Sequence, residues 1–421
     1  MNGGPATRRR LWAGRALALI GVILLAVNLR TAVGALSPIA RVIEGDIPLD
    51  DASLGVLGML PPFAFAVSAF AASRARRLGP EGLVTVALVA ALAGHVVRAF
   101  AGSFAVLAGG SLLVFIAMGV GNVMLPPLVK KYFPDRIGLL TAVYTTVNAV
   151  GMALPPLIAF PVAIRYGWRS SLLIWAVVAF IGLVPWVVQL IRAREHEASP
   201  AMASRTAVRG AERAESPGRL WRSRIAWGLA IMFAVVSLHV YTMFAWLPEL
   251  MIQWGRQAPV VAGGLLALYS ALGLPLGMVV PLVAERMAQP ARLVYFGAAC
   301  MVLGYAGIVS SPGAVPWLWV VLLRLGSVMF PLCLVMINLR SRTPAGSARL
   351  STFVQGVGYT IAAIGPLLVG ALHAASSSWL PPLLVLVATV AAVVVVPSML
   401  RSGTFVEDET TQRITSREER E

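Results

Sequence analysis

The sequence is short of charged residues. Only 12% of its 421 residues are Asp, Glu, Lys or Arg, whereas 58% are hydrophobic and the mean hydropathy is +0.81. Soluble domains carry about 25% charged residues, and half of that density cannot cover a water-facing surface. The composition therefore excludes a soluble enzyme and favours a protein that crosses a membrane many times.

Cysteines and catalytic groupings are scarce as well. Cys300 and Cys333 are the two cysteines, and both lie within apolar runs, so we expect neither a disulfide framework nor a metal site. The sequence has no Gly-x-x-x-x-Gly-Lys phosphate loop, which leaves direct use of ATP unsupported. The paired acids or nucleophile–base pair of a membrane-embedded enzyme are also missing. We therefore expect no catalytic residue and no cofactor.

What the sequence does contain is a series of apolar runs separated by short charged breaks. A helix needs about 20 apolar residues to cross a bilayer, and the runs predict an all-α polytopic membrane protein with twelve transmembrane helices. The candidate spans are 16–38, 54–72, 83–101, 104–128, 138–161, 170–191, 225–248, 261–284, 291–309, 316–339, 351–373 and 379–400.

The charge imbalance indicates how the chain is oriented. Its net charge of +16 comes from 34 Lys and Arg against 18 Asp and Glu, and most of the cations lie in short loops. If the N-terminus is inside, only Arg41, Arg165, Arg169 and Arg256 fall in outer loops. The positive-inside rule then places both termini in the cytoplasm of a cell membrane. Nucleic acid, which such a charge would suggest for a soluble protein, is not an expected partner.

The chain contains an internal repeat. Gly121–Pro126 recurs as Gly326–Pro331, and Thr141–Pro155 has a counterpart in Thr352–Pro366 at nearly the same offset. Two six-helix repeats related by an axis along the membrane normal are the plan of the major facilitator fold. We therefore predict an N-terminal six-helix bundle (1–191), a cytoplasmic linker (192–224), a C-terminal six-helix bundle (225–400) and a disordered cytoplasmic tail (401–421).

Several motifs resemble the cyanate/nitroimidazole transporter family of the major facilitator superfamily. They are Asn28–Arg30 with Ser37–Pro38, Tyr241 with Trp246–Pro248, and Leu339–Thr343 with Gly358–Tyr359 and Gly365–Pro366. The resemblance implies a transporter of small solutes. Together with the buried arginines and histidine described below, it predicts a secondary active transporter that moves a small anionic or planar polar solute by alternating access, with protons as a candidate coupling ion. It also implies that helices one, four, seven and ten line a central cavity. The loop Arg74–Gly79 departs from the superfamily pattern because it lacks an acid.

Two arginines inside the spans are the leading candidates for substrate binding. A charge at membrane depth costs about 2.5–3.5 kcal/mol on insertion scales, so it usually faces a cavity or a partner. Arg30 and Arg324 lie at matching depths, about 12 Å from the outer surface if both spans are continuous helices. The resemblance places both on the cavity wall, where a guanidinium fork suits carboxylate or nitro groups. Alternatively, either arginine binds backbone carbonyls or holds helices together.

Other polar and aromatic residues lie on helices one, four and seven, which the resemblance places around the cavity, or form polar stripes on helices five and eleven. His239 could carry a coupling proton, because histidine titrates near neutrality, or could bind substrate, or could be a structural hydrogen-bonding group. The remaining candidates for substrate binding are Asn28, Tyr241, Trp246, Asn122, Tyr144, Asn148, Gln355 and Tyr359. Each of them could instead pack helices together.

Four polar residues near the ends of spans are expected to reach solvent. We expect His95 and Arg98 to snorkel from the third span to the surface. Glu249 is expected to be a solvated cap, although it could instead act as a gate or accept protons, and His373 is expected to reach the surface.

Other functions remain compatible with parts of the pattern. A drug or xenobiotic efflux pump of the same fold is the alternative, and a channel or a membrane-embedded enzyme is a remote one. Proton-coupled efflux is less attractive, because no Asp or Glu lies inside a predicted transport helix. Import of a small anion and export of a planar heteroaromatic compound both fit the sequence.

Overall fold

The computed structural model describes residues 15–74, 78–197, 217–400 and 405–409. These residues form helices joined by short connections, with no strand among them. The helices are α1 (Ala16–Asn28), α2 (Ala40–Glu44), α3 (Asp51–Arg74), α4 (Gly79–Ala99), α5 (Phe104–Tyr132), α6 (Ile137–Tyr166), α7 (Trp168–Glu197), α8 (Arg224–Gln253), α9 (Pro259–Ala271), α10 (Gly273–Arg286), α11 (Leu293–Ser310), α12 (Pro316–Gly326), α13 (Met329–Leu339), α14 (Pro344–Ala362), α15 (Ile364–Ser376), α16 (Leu380–Val390) and α17 (Val396–Met399).

The helices form a polytopic membrane architecture. In the described parts of the chain, eleven helical segments are long and apolar enough to cross a bilayer, and α1 is a further apolar helix of 13 residues. Large apolar side chains are exposed on the outside of the bundle, for example Val86, Val89, Val177, Phe180 and Val184. Such side chains contact lipid when the bundle spans a bilayer. The expected all-α membrane fold is confirmed.

The first span differs from its predicted continuous helix over 16–38. α1 ends at Asn28, and residues 29–36 form turns. Pro38 lies in the first turn of the short helix Ser37–Ile39 that follows these turns, where its missing amide hydrogen breaks no helical bond. Gly34 lets the turns approach α6, since a Cβ at Gly34 would lie 2.7 Å from Cγ of Pro156. The depth of Arg30 therefore does not follow from helical rise.

Three later spans are also interrupted where the sequence predicts unbroken helices. The pairs α9–α10, α12–α13 and α14–α15 separate at Leu272, Ser327 and Ala363. Each break is followed within one turn by a proline, namely Pro275, Pro331 or Pro366. Proline cannot donate to the carbonyl four residues back, and its ring clashes with that carbonyl. The helices therefore restart at these points, which opens backbone groups inside the bundle.

Two halves meet around a central helix. The N-terminal half runs to the end of α7, and the C-terminal half begins with α8. α8 is the most enclosed of the candidate spans and packs against α9, α13, α14 and α15 of its own half. Contacts between the halves come chiefly from α3 against α8, α14 and α15, and from α6 against α9.

The ends of the spans define two faces, because successive spans run in alternate directions. The proximal face is where α1, α6, α8 and α14 begin, and it contains residues 133–136, 287–292 and 340–343. The distal face lies at the other end and contains residues 37–50, 100–103, 254–258 and 311–315.

The predicted linker and tail are described only in part. Residues 198–216, 401–404 and 410–421 lie outside the described residues. Residues 405–409 depart from the expectation of a disordered tail, because they bind the proximal face of the C-terminal half. The amide of Val406 donates to the carbonyl of Arg340 at 2.9 Å, and Ser223 Oγ donates to Glu409 Oε2 at 2.6 Å.

The expectation that His95 and Arg98 snorkel to the surface is wrong. Both side chains are completely buried. They lie on the face of α4 that also carries Ala91 and Gly94, and this face packs onto α5. Helical periodicity therefore turns both residues towards the protein, although Arg98 is only one residue from the end of α4.

Candidate functional site

A cavity of about 450 Å³ lies between the two halves. α6 and α8 contribute side chains to its wall, and so do the interrupted spans α9–α10 and α12–α13. Four of the residues predicted for substrate binding line it: Arg30, Tyr241, Asn148 and Arg324. The two arginines come from opposite halves, so the cavity is shared by the predicted repeats.

Arg30 reaches the cavity from the turns that follow α1. Its guanidinium carbon lies 5.2 Å from the centre of the Phe65 ring on α3. Phe65 is also close to Tyr241 and Tyr359, with ring-centre distances of 6.3 Å and 5.9 Å. An arginine over an aromatic face is attracted by the ring quadrupole, so the Phe65 ring holds the guanidinium without neutralising its charge.

Arg324 lies on α12, just before the break at Ser327. Its guanidinium carbon is 4.9 Å from the centre of the Tyr269 ring, and its buried Nε has no hydrogen-bond partner. Gly273, at the start of α10, makes room for the group, because a Cβ there would overlap Arg324 Nη2. The interruption between α9 and α10 therefore positions this arginine in the cavity wall.

The cavity wall carries positive charge. Among the described residues that line it, Arg30 and Arg324 are charged and none is acidic. Polar neighbours that sequence reasoning missed are Thr145, Ser270, Ser327 and Asn338. Two of these, Ser270 and Ser327, lie at or next to a helix break, and the prolines that follow the breaks were the sequence signal that could have identified them.

Asn28 and His239 do not line the cavity. Asn28 donates through Nδ2 to the carbonyls of Leu24 and Val178, at 2.8 Å and 3.2 Å, and so ties α1 to α7. The ring nitrogens of His239 bond to Tyr305 at 2.6 Å and to Thr389 at 3.0 Å, within its own half.

The role of His239 in proton coupling stays a prediction. If it carries a coupling proton, His239→Gln should flatten the pH profile of transport. An unchanged pH profile in this variant would remove the hypothesis.

The other predicted residues lie around the cavity without being among the residues that line it. Trp246 Nε1 donates to the carbonyl of Pro366 at 2.9 Å, and Gln355 Nε2 donates to Ser351 Oγ at 2.6 Å. Tyr359 contributes to the aromatic cluster beneath Arg30. Tyr144 packs against an apolar cluster centred on α1, and Asn122 is half-buried on α5.

The cavity extends from the arginines towards the proximal face. Its wall includes Pro281 in the last two turns of α10 and Asn338 next to the end of α13, and both helices end at that face. The part of the cavity beside the arginines is therefore continuous with the proximal side.

On the distal face, an ion pair joins the two halves. Arg41 on α2 donates to Glu249 on α8 from Nε at 2.9 Å and from Nη2 at 2.5 Å. Glu249 is buried, which corrects the expectation of a solvated cap, and it also accepts from Gln253 Nε2 at 2.6 Å. The hydrogen bond with Glu249 raises the pKa of Arg41. Bidentate arginine–carboxylate pairs are strong because two charge-assisted bonds act together.

Two further hydrogen bonds close the same face. Ser37 Oγ donates to the carbonyl of Phe244 at 2.7 Å, and His373 Nδ1 lies 2.7 Å from Asp51 Oδ2. Each bond connects one half to the other. His373 is buried rather than at the surface as expected, because α15 packs against the start of α3. Together with the Arg41–Glu249 pair, these bonds join the two halves on the distal side.

Gly273→Ala tests how Arg324 is positioned. The added methyl displaces Nη2, so we expect at least a ten-fold loss of saturable solute transport, because a hydrogen bond to a charged group contributes about 1.5–3 kcal/mol. Gly277→Ala is a matched control on the same helix and in the same wall, since a Cβ there meets nothing within 4 Å. Equal transport by the two variants would contradict this role for Gly273.

The sequence profile of the Major Facilitator Superfamily matches residues 18–342. This chain belongs to the Major Facilitator Superfamily. It is 30% identical over 373 residues to the 2-nitroimidazole transporter of Escherichia coli (strain K12), a match that covers 88% of this chain and 91% of the relative. It is 26% identical over 371 residues to the cyanate transport protein CynX of the same organism, covering 86% and 91%. The resemblance to cyanate and nitroimidazole transporters is confirmed.

A solved superfamily structure has the same fold. It is a bacterial homolog of the human lysosomal transporter Spinster in an inward-facing and unoccupied conformation. The match has a TM-score of 0.69 at 17% identity and covers 94% of this chain and 97% of the other. The family match and the transporters among its relatives show that this chain is a transporter of small solutes and not an enzyme.

Proposed function

We propose that this transporter carries a small planar anion, or a planar solute with a strongly polar group such as nitro, across the cell membrane by alternating access. The observation that supports the proposal is the pair Arg30 and Arg324, which line one cavity whose described wall has no acid. Two uncompensated cations favour a guest that brings negative charge, since a buried charge without a partner is costly.

The form of the cavity favours a small guest. Its volume of about 450 Å³ is near the lower end of the range for ligand pockets, about 300–1,000 Å³. Phe65 and Tyr269 each lie against one guanidinium. The forked edge of each arginine remains able to donate to a carboxylate-like or nitro group. The named solutes of two relatives, cyanate and 2-nitroimidazole, are a small anion and a planar nitro compound.

In the proposed transport cycle, the cavity opens alternately to the proximal face and to the distal face. We place the proximal face in the cytoplasm, on the basis of the cation excess in its loops. The cavity opens towards this face, and hydrogen bonds join the halves at the distal face. This arrangement corresponds to an inward-facing state. Outward opening then requires the bonds of Arg41, Ser37 and Asp51 to the C-terminal half to break.

The alternative is export of apolar xenobiotics by the same rocking motion. Apolar side chains in the cavity wall, such as Met152, Phe330 and Leu334, favour it. This alternative predicts that affinity follows the hydrophobic area of the compound, whereas the arginine pair predicts that it follows negative charge.

Competition for uptake of radiolabelled 2-nitroimidazole or cyanate into proteoliposomes tests the proposal. Benzoate and benzamide form a suitable pair, because they share size and planarity but differ in charge. We expect benzoate to inhibit at a concentration at least ten-fold lower than benzamide. Equal inhibition by both, with stronger inhibition by large neutral compounds, would favour xenobiotic export.

A further inference from the structure

A second group of cationic and polar side chains lies outside the central cavity, between α4 and α5 near the distal face. His95, Arg98 and Ser111 are each 0% exposed. Within the described parts of the chain, no hydrogen-bond partner is found for the three guanidinium nitrogens of Arg98, the two ring nitrogens of His95 or the hydroxyl of Ser111. Buried polar groups are nearly always paired, and an exception calls for an explanation such as a bound water or ion.

The helices cannot shift to satisfy these groups, because their backbones are already in contact. A Cβ at Gly94 would lie 2.7 Å from the carbonyl of Gly110. A Cβ at Gly110 would lie 2.9 Å from the amide nitrogen of Arg98 and 3.1 Å from its Cβ. The backbone and Cβ of Arg98 are therefore held against Gly110 of α5, and Ser111 is the next residue after Gly110.

The surrounding helices offer no counter-charge within the described residues. α5 has no acid, and the acids of α7, Glu195 and Glu197, lie at its proximal end. The acid of α4, Glu81, is at the proximal end as well, where it binds Lys131 and Tyr132. The nearby distal loop contains Asp46, which already accepts from Trp168 and Arg169. Water can accept hydrogen bonds here, but it cannot neutralise a buried guanidinium.

We propose that His95, Arg98 and Ser111 bind a small inorganic anion, of the size of chloride, bromide or nitrate. Arg98 supplies a fork of N–H donors, and the imidazole and hydroxyl add donors from a second and a third side chain. None of the three residues lines the central cavity. The anion is thus a structural ligand of the N-terminal half and is distinct from the transported solute.

Thermal unfolding of the purified full-length protein in bromide tests this site, with gluconate as the reference at constant ionic strength. Because the central cavity is itself a proposed anion site, the background is Arg30→Gln/Arg324→Gln. We expect bromide to raise the melting temperature by about 4 °C near saturation. Arg98→Gln in that background should abolish the rise. Arg165→Gln, which removes an exposed arginine of the same half, should leave it unchanged.

Three outcomes would overturn the proposal. The first is an equal bromide response with and without Arg98→Gln. The second is a bromide response that disappears in the Arg30→Gln/Arg324→Gln background, which would assign anion binding to the central cavity alone. The third is the absence of an anomalous peak between α4 and α5 in bromide-soaked crystals of the wild-type protein. The crystal experiment decides the matter if Arg98→Gln does not fold, and a peak within hydrogen-bond distance of Arg98 would support the site.

Discussion

Replacing Arg324 with glutamine is expected to lower kcat/KM for an anionic or nitro-bearing solute by about 100-fold, because a charge-assisted contact in a water-poor site contributes about 2–5 kcal/mol. The fold should not suffer. Nε of Arg324 is buried without a hydrogen-bond partner among the described residues, so the substitution leaves no partner group unpaired at that atom. A transport defect without loss of stability is therefore the result that separates ligand contact from a structural role.

The measurement is saturable uptake into proteoliposomes, with the melting temperature taken on the same preparations. Arg30→Gln is expected to have a similar effect, since the two cations act on one guest. Arg324→Lys keeps the charge but loses the planar fork, so it should recover only part of the activity. Arg165→Gln is the matched control, because Arg165 is exposed and stacks only on its neighbour Tyr166. Near wild-type transport by Arg324→Gln would refute the arginine pair.

Glu249→Gln is expected to raise the population of molecules with an open distal face by about ten-fold. The neutral amide cannot form the bidentate ion pair with Arg41. A hydrogen bond to a buried charged group contributes about 1.5–3 kcal/mol. Because the Arg41 side chain is 47% exposed, solvent screening lowers the contribution of the pair to about 1–2 kcal/mol. Because every 1.4 kcal/mol changes an equilibrium ten-fold, that loss corresponds to the expected shift.

Labelling of a Leu57→Cys variant by a membrane-impermeant thiol reagent reports this shift. Leu57 is buried, and it lines a small cavity with Ala40 and Leu54, which also lie beside the ion pair. Both native cysteines are buried. Faster labelling is expected when Glu249→Gln is combined with Leu57→Cys. Arg169→Gln is the control, because it breaks a distal-face ion pair with Asp46 that lies wholly within the N-terminal half. If both substitutions accelerate labelling equally, the Arg41–Glu249 pair is not a specific lock between the halves.

The sequence predicted the positions of the membrane helices, but it did not predict where those helices are interrupted. The span 316–339, for example, is as a whole long and apolar enough to cross a bilayer, but the structure divides it at Ser327. Pro331 is visible in the sequence, yet a proline in a membrane helix does not by itself dictate a break, because neighbouring helices can satisfy the freed groups. Whether they do so depends on packing that no local window contains.

Some residues of the candidate site could likewise be predicted from the sequence, whereas others were revealed only by the structure. Arg30 and Arg324 were identifiable because a lone charge inside an apolar span needs a cavity or a partner. Arg98 met the same criterion and lies elsewhere, buried between α4 and α5. Gly273 has no side chain that a sequence pattern could single out, and its role in placing Arg324 follows only from the contact between two helices.

The sequence alone determined that the chain crosses a membrane, and where, since hydropathy is a property of each window of about 20 residues. Only the tertiary structure decided which side of each helix meets the solute. His239 and Tyr241 are two residues apart on α8, and two residues turn a helix by about 200°. Tyr241 consequently lines the cavity while His239 bonds to Tyr305 on α11. Hydrophobic pattern cannot make that distinction in a helix that is buried on nearly every side.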